Sequence, residues 1–175
     1  MEQKSGCALD RRDCSRLCTC IYTGILFWTA SEQCRRFDAA GLKNGDVVLV
    51  NRLVYNAMTP KRGDIIAFKP NGRENAHYYI KRIVGLPGET VQIKDGKVYI
   101  NGKEQKKDIF VSEIEKPGVA QDEITLGENE YFVLGDQASS SDDSRMADIG
   151  NVKRSEIYGK IWFNTSVGSN FGFVK

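Results

Sequence analysis

From Gly41 onward the apolar residues of this chain come in short runs separated by turn-forming residues. Short runs rich in Val, Ile, Tyr and Phe, bounded by Gly, Pro, Asn or Asp, read as strands rather than helices. The turn Gly41-Leu42-Lys43-Asn44-Gly45-Asp46 leads into Val47–Arg52, which reads as a buried strand. Leu53–Pro60 reads as a loop, and Ile65–Phe68 as the next strand, ended by Pro70. After the polar loop Asn71–Ala76, Tyr78–Val84 reads as a strand that Pro87 and Gly88 close. Thr90–Lys94 and Lys97–Gly102 flank Asp95-Gly96, the strongest short-range hairpin signal. Lys103–Glu130 holds Pro117 and Gly118, shows no periodicity and is expected to be a charged surface excursion. Tyr131–Leu134 and Ile157–Phe163 read as further strands, with one helical turn expected over Asn151–Glu156. The expected fold class is mainly β, with a small hairpin subdomain.

A chain of 175 residues can bury one full core and carry a small appended subdomain. A net charge of +2 gives no strong pull toward nucleic acid, which is not an expected partner. A single histidine argues against a His-ligated metal site. The five cysteines, Cys7, Cys14, Cys18, Cys20 and Cys34, lack the paired Cys-x-x-Cys spacing of zinc sites, and an odd number argues against a closed disulfide framework. Neither metal, cofactor nor disulfide is expected.

Residues 1–40 differ from the rest. Met1–Arg16 is polar and charged, whereas Leu17–Ala30 is apolar. That run falls short of the roughly 20 apolar residues that span a bilayer. Three readings stay open for it: a buried amphipathic helix, a truncated or damaged membrane anchor, or a signal-like apolar region. Residues 41–175 are expected to form the main domain, with about 90–129 as an inserted smaller subdomain.

Within Tyr78–Val84 stands a lysine, Lys81. On a half-exposed strand it would simply point to water. Held in an apolar pocket, it would lose hydration of its charged form, and the neutral amine would become available as a base. Ser139–Arg145, taken alone, reads as a polar turn. His77 reads as a strand-edge residue, and Lys103, Lys106 and Lys107 as a solvated face. Phe163, Phe171 and Phe173 are expected either to pack as a C-terminal tail or to touch membrane.

Three boxes change the weight of Lys81. Ile80-Lys81-Arg82-Ile83-Val84-Gly85-Leu86-Pro87-Gly88 resembles the lysine box of type I signal peptidases, membrane-tethered serine proteases with a Ser/Lys dyad. Lys61-Arg62-Gly63-Asp64-Ile65-Ile66-Ala67-Phe68 resembles their upstream Arg-Gly-Asp box. Gly135-Asp136-Gln137-Ala138-Ser139-Ser140-Ser141-Asp142-Asp143-Ser144-Arg145 resembles the downstream box, with Gln137 for the usual Asn and Ala138 for a common Arg. The resemblance runs from about Gly41 to Phe163. It implies an antiparallel β-sheet fold and cleavage of signal peptides from secretory preproteins. The resemblance further implies that this work is done at the extracytoplasmic side of the cell membrane. It implies Lys81 as general base, Ser141 as the residue that orients it, and Asp136, Asp143, Arg145 and Arg82 as bracing residues. Nothing in the sequence sets the oligomeric state.

The family's nucleophile lies in a Ser-Met-x-Pro-x-Leu box. Counting back from Leu42-Lys43-Asn44-Gly45-Asp46, that serine is expected at position 37, where the chain has Phe37-Asp38-Ala39-Ala40. Phenylalanine cannot attack a carbonyl. Asp38 stands one place off and does not restore acyl-enzyme chemistry; Ser31 lies in a different context. The codons TTC-GAT-GCA-GCC would encode Phe-Asp-Ala-Ala, and reading them one nucleotide later gives Ser-Met-Gln-Pro. A frame slip at this point is one explanation of the missing serine. The other is a non-catalytic homologue that binds an extended peptide by strand addition. A repressor-type Ser/Lys autoprotease and a plain β-sheet interaction module are further alternatives; the Gly-Leu-Pro-Gly turn and the downstream box favour the signal peptidase.

Overall fold

The computed structural model describes residues 46–70, 77–105, 114–136, 142–166 and 171–174, residue 42, and the backbone of 27–29. Its strands are β1 (Phe27–Thr29), β2 (Val48–Asn51), β3 (Ile65–Phe68), β4 (Tyr79–Gly85), β5 (Thr90–Lys94), β6 (Lys97–Ile100), β7 (Lys103–Glu104), β8 (Ile124–Thr125), β9 (Glu130–Leu134), β10 (Val152–Lys153), β11 (Ile157–Asn164) and β12 (Gly172–Phe173). A one-turn helix, α1 (Val54–Ala57), and 3-10 turns at Gly118–Gln121 and Arg154–Glu156 complete the elements.

Among the described residues the strands form two antiparallel sheets. The larger runs in the order β1-β2-β11-β3-β4-β9-β10, with β12 beside β11. The smaller runs β7-β6-β5-β8. The pleat sends alternate residues of β3 to opposite faces. Ile65 and Ala67 join Leu42, Val48, Val50, Ile80 and Ile161 in one apolar cluster. Ile66 and Phe68 join Tyr55, Ile83, Tyr131, Val133 and Ile157 in another. Both faces of β3 are therefore covered, which explains its unbroken apolar run.

A third cluster ties the two sheets together. Val91, Ile93, Val98 and Ile100 of the smaller sheet pack with Val84, Phe132 and Leu134 of the larger one. Gly85 sits where they meet: a Cβ there would lie 2.6 Å from Leu126 Cδ1 and 2.7 Å from Val91 Cγ2.

The structure alters four local expectations. Leu17–Ala30 was open to a helical or anchor reading, yet Phe27–Thr29 is a strand, with Phe27 opposite Asn51 and Thr29 opposite Leu49. Its aromatic and β-branched residues suit a pleated edge, and the other edge of β2 is already taken by β11. The rest of that run lies outside the described residues, as do all five cysteines. Leu53–Pro60 contains α1, whose start is tied by the N–H groups of Leu53 and Val54 donating to Asn51 Oδ1 at 3.0 Å each. The Lys103–Glu130 excursion contributes β7 and β8, too short to show a period. Asn151–Glu156 splits into β10 and a 3-10 turn, closed by the Lys153 N–H donating to Glu156 Oε2 at 2.8 Å. Among the described residues no helix is long and apolar enough to cross a membrane.

The C-terminal aromatics pack as a tail against β11. Phe163 meets the rings of Phe171 and Phe173 edge-on, at centroid distances of 5.2 and 5.3 Å. Both tail rings remain largely exposed.

Candidate active site

Lys81 lies in the middle of the larger sheet, because β4 is flanked by β3 and β9. It stands opposite Ile66 on β3. Two residues on, Ile83 stands opposite Val133 on β9. Ile66, Ile83 and Val133 belong to one cluster, so the pleat places Lys81 on an apolar face. Its side chain is 0% exposed. A lysine so placed cannot be a solvated strand residue, which was the plain reading of its sequence context.

Arg82 points to the opposite face and makes a bidentate ion pair. Its Nε donates to Asp136 Oδ1 and its Nη2 to Asp136 Oδ2, each at 2.9 Å. Its Nη1 donates to the Gly63 carbonyl at 3.1 Å. Two parallel charge-assisted bonds fix orientation as well as distance. They hold the end of β9 against the lysine strand.

Asp143 and Arg145 form a second buried pair. Arg145 Nε donates to Asp143 Oδ1 and Nη2 to Oδ2, both at 2.8 Å. Asp143 also accepts the backbone N–H of Arg145 and that of Gly135, each at 3.1 Å. Since Gly135 precedes Asp136, both ion pairs hold the same segment after β9. Arg145 extends the brace to the connection beside the smaller sheet. Its Nη1 donates to the Lys116 carbonyl at 3.1 Å, and its own carbonyl accepts the Val119 N–H at 3.0 Å. Ser144 is buried too: its hydroxyl accepts the Val133 N–H at 3.0 Å, and its N–H donates back to the Val133 carbonyl at 3.1 Å.

The Arg-Gly-Asp box surrounds the lysine strand from the other end. Gly63, at φ +87°, donates its N–H to the Ile83 carbonyl at 2.8 Å, and the Asp64 carbonyl accepts the Ile83 N–H at 2.9 Å. Arg62 donates to the Val84 carbonyl and pairs with Glu89 at 2.5 Å. Glu89 in turn accepts the Leu86 N–H at 2.8 Å, which locks the Gly-Leu-Pro-Gly turn. The Asp64 carboxylate accepts from Tyr55 Oη at 3.0 Å and from Lys160 Nζ at 2.6 Å. Burial, and then the neighbouring Asp64 charge, push the Tyr55 phenol well above its ordinary value.

Of the expected site residues, Lys81, Arg82, Asp136, Asp143 and Arg145 are described, and the structure gathers them around β4 and the end of β9. Ser141 and Phe37 lie outside the described residues, as do Ser31 and Asp38. His77 precedes β4 and is exposed. Sequence reading missed the Tyr55–Asp64–Lys160 group and the Arg62–Glu89 pair. Box membership marked Arg62 and Asp64, but no local signal marked Tyr55 or Lys160.

The chain matches the family model for signal peptidase, peptidase S26, over residues 20–165. It is 35% identical over 126 residues to signal peptidase I P of Bacillus subtilis subsp. natto, covering 67% of this chain and 66% of that protein. It is 37% identical over 125 residues to signal peptidase I T of Bacillus subtilis (strain 168), covering 67% of this chain and 63% of that protein. The alignment thus spans slightly less than two thirds of the length of these relatives. A signal peptidase I structure from Enterococcus faecalis V583 aligns with a TM-score of 0.45 at 36% identity, covering 59% of this chain and 97% of that one. The family match takes in every strand of both sheets except β12 and every box around β4, and the chain belongs to the signal peptidase family, peptidase S26.

Proposed function

We propose that this chain is built for the hydrolysis of signal peptides from secretory preproteins by a Ser/Lys mechanism, and that as written it lacks the nucleophile. The observation that carries the reading is Lys81, fully buried on the central strand of the larger sheet. Burial withdraws water from the ammonium and favours the neutral amine, the form that accepts a proton. In the proposed reaction a serine hydroxyl at position 37 attacks the scissile carbonyl as Lys81 takes its proton. Lys81 then gives that proton to the leaving amine. Water attacks the acyl-enzyme, with Lys81 again as base, and the serine is regenerated. Ser141 orients the lysine. The Arg82–Asp136 and Asp143–Arg145 pairs hold the surrounding turns rigid. No metal or cofactor enters this scheme. The setting proposed for it is the membrane surface, on the extracytoplasmic side.

With Phe37 in the nucleophile's place, the chain as written is inactive in this scheme. The test is to replace residues 37–40 by Ser-Met-Gln-Pro and to follow a synthetic signal peptide by mass. Cleavage after the small-residue motif is expected from the replaced chain and none from the chain as written. A folded replacement that cleaves nothing would contradict the latent dyad. The nucleotide sequence around codons 20–45 distinguishes a frame slip from a true Phe37.

A further inference from the structure

We propose that the cavity between α1 and the start of β11 binds a phosphate group through the guanidinium groups of Arg52 and Arg154. This cavity of about 340 Å³ is lined by Arg52, Leu53, Tyr55, Asn56, Arg154, Ile157 and Tyr158. Two of its residues are cationic and none is acidic.

Both arginines are positioned by tyrosines. The Arg52 guanidinium carbon lies 4.5 Å from the Tyr158 ring centroid, and that of Arg154 lies 5.4 Å from the Tyr55 centroid. Tyr158 is itself held by Tyr78, at a centroid distance of 4.7 Å. A guanidinium held against a ring keeps N–H donors at its edge for a bidentate acceptor. Arg154 spends one donor on the Tyr55 carbonyl. Neither arginine is paired with a carboxylate among the described residues. The nearby Asp64 carboxylate is engaged by Tyr55 and Lys160 instead.

A planar carboxylate is satisfied by one arginine fork, whereas a tetrahedral phosphate has oxygens enough for two. The space exceeds a bare anion, so a phosphate bearing a polar headgroup also fits. The two sources of that chemistry are a lipid headgroup and soluble phosphate. This site does not rest on the chemistry of Lys81.

The test uses the full chain as written at physiological ionic strength. Binding is measured by calorimetry with inorganic phosphate, and by flotation with phosphatidylglycerol and with phosphatidylcholine vesicles. Arg52→Gln is the principal variant, because Arg154 also supports Tyr55; Lys103→Gln, an exposed cation on β7, is the control. Thermal melts confirm that each variant is folded. The expected result is phosphate binding that weakens about tenfold in Arg52→Gln, is not restored by Arg52→Lys, and is unchanged in Lys103→Gln. The same pattern confined to phosphatidylglycerol vesicles supports the site and identifies a lipid headgroup. No binding to either probe, or an equal loss in Arg52→Gln and Lys103→Gln, would overturn it.

Discussion

Asp143 is the residue whose loss the fold should feel most. Its carboxylate is 0% exposed and accepts from Arg145 and from Gly135. Removing one partner of a buried ion pair leaves an uncompensated charge, at a cost of about 3–5 kcal/mol. Asp143→Ala should therefore lower the urea midpoint by that equivalent, with the slope unchanged. A loss under about 1 kcal/mol would mean that Arg145 finds another acceptor. Tyr55 sets a pH dependence of known sign. Its phenol is raised above the ordinary value of 10.0. Above that pH the unfolded chain releases a proton that the folded chain keeps, so stability falls as pH rises. Below it both states keep the proton and Tyr55 contributes no slope. Stability measured between pH 9 and 11 should fall less steeply in Tyr55→Phe than in the parent chain.

At the scale of elements, the turns and the connection beside the smaller sheet carry the sharpest expectations. Asp95 and Gly96, at φ 50° and 72°, form the hairpin turn expected from their sequence. Gly96→Ala should cost about 1 kcal/mol, read from the thermal midpoint. Gly118 is more constrained: its φ is +59°, and a Cβ would lie 2.3 Å from the Arg145 carbonyl oxygen. Gly118→Ala should be worse than Gly96→Ala, because the backbone that holds Arg145 has to move. Equal effects would show that this connection yields freely. These cases also mark what was legible. Strands β3 and β5 were readable because composition and turn residues act locally. Asn101-Gly102 repeats the Asp95-Gly96 geometry, at φ 50° and 72°, and carried the same signal unread. Strands β7, β8 and β10 escaped because two residues show no period. The site divides in the same way. Lys81, Arg82, Asp136, Asp143 and Arg145 were singled out through the resemblance of their boxes to a known family, because no local pattern in the chain marks them by itself. The Lys160–Asp64 contact joins residues 96 positions apart, which no local pattern encodes.

For the whole molecule, both sheets converge on β4. The larger sheet covers Lys81, and the smaller sheet packs behind Val84, Phe132 and Leu134. The Arg145 brace ties the connection beside the smaller sheet to the turn after β9, and the Arg62–Glu89 pair ties the start of the β3 segment to the turn after β4. A fold arranged in this way keeps a buried lysine in fixed geometry, as the proposed proton transfer by Lys81 requires. The measurement that tests this most directly is made on the chain carrying Ser-Met-Gln-Pro at residues 37–40. Its rate of signal-peptide cleavage is compared with that of the same chain bearing Lys81→Ala, both verified as folded. The expected result is cleavage in the first and a loss of at least about a thousandfold in the second. Equal cleavage in the two would contradict Lys81 as the base.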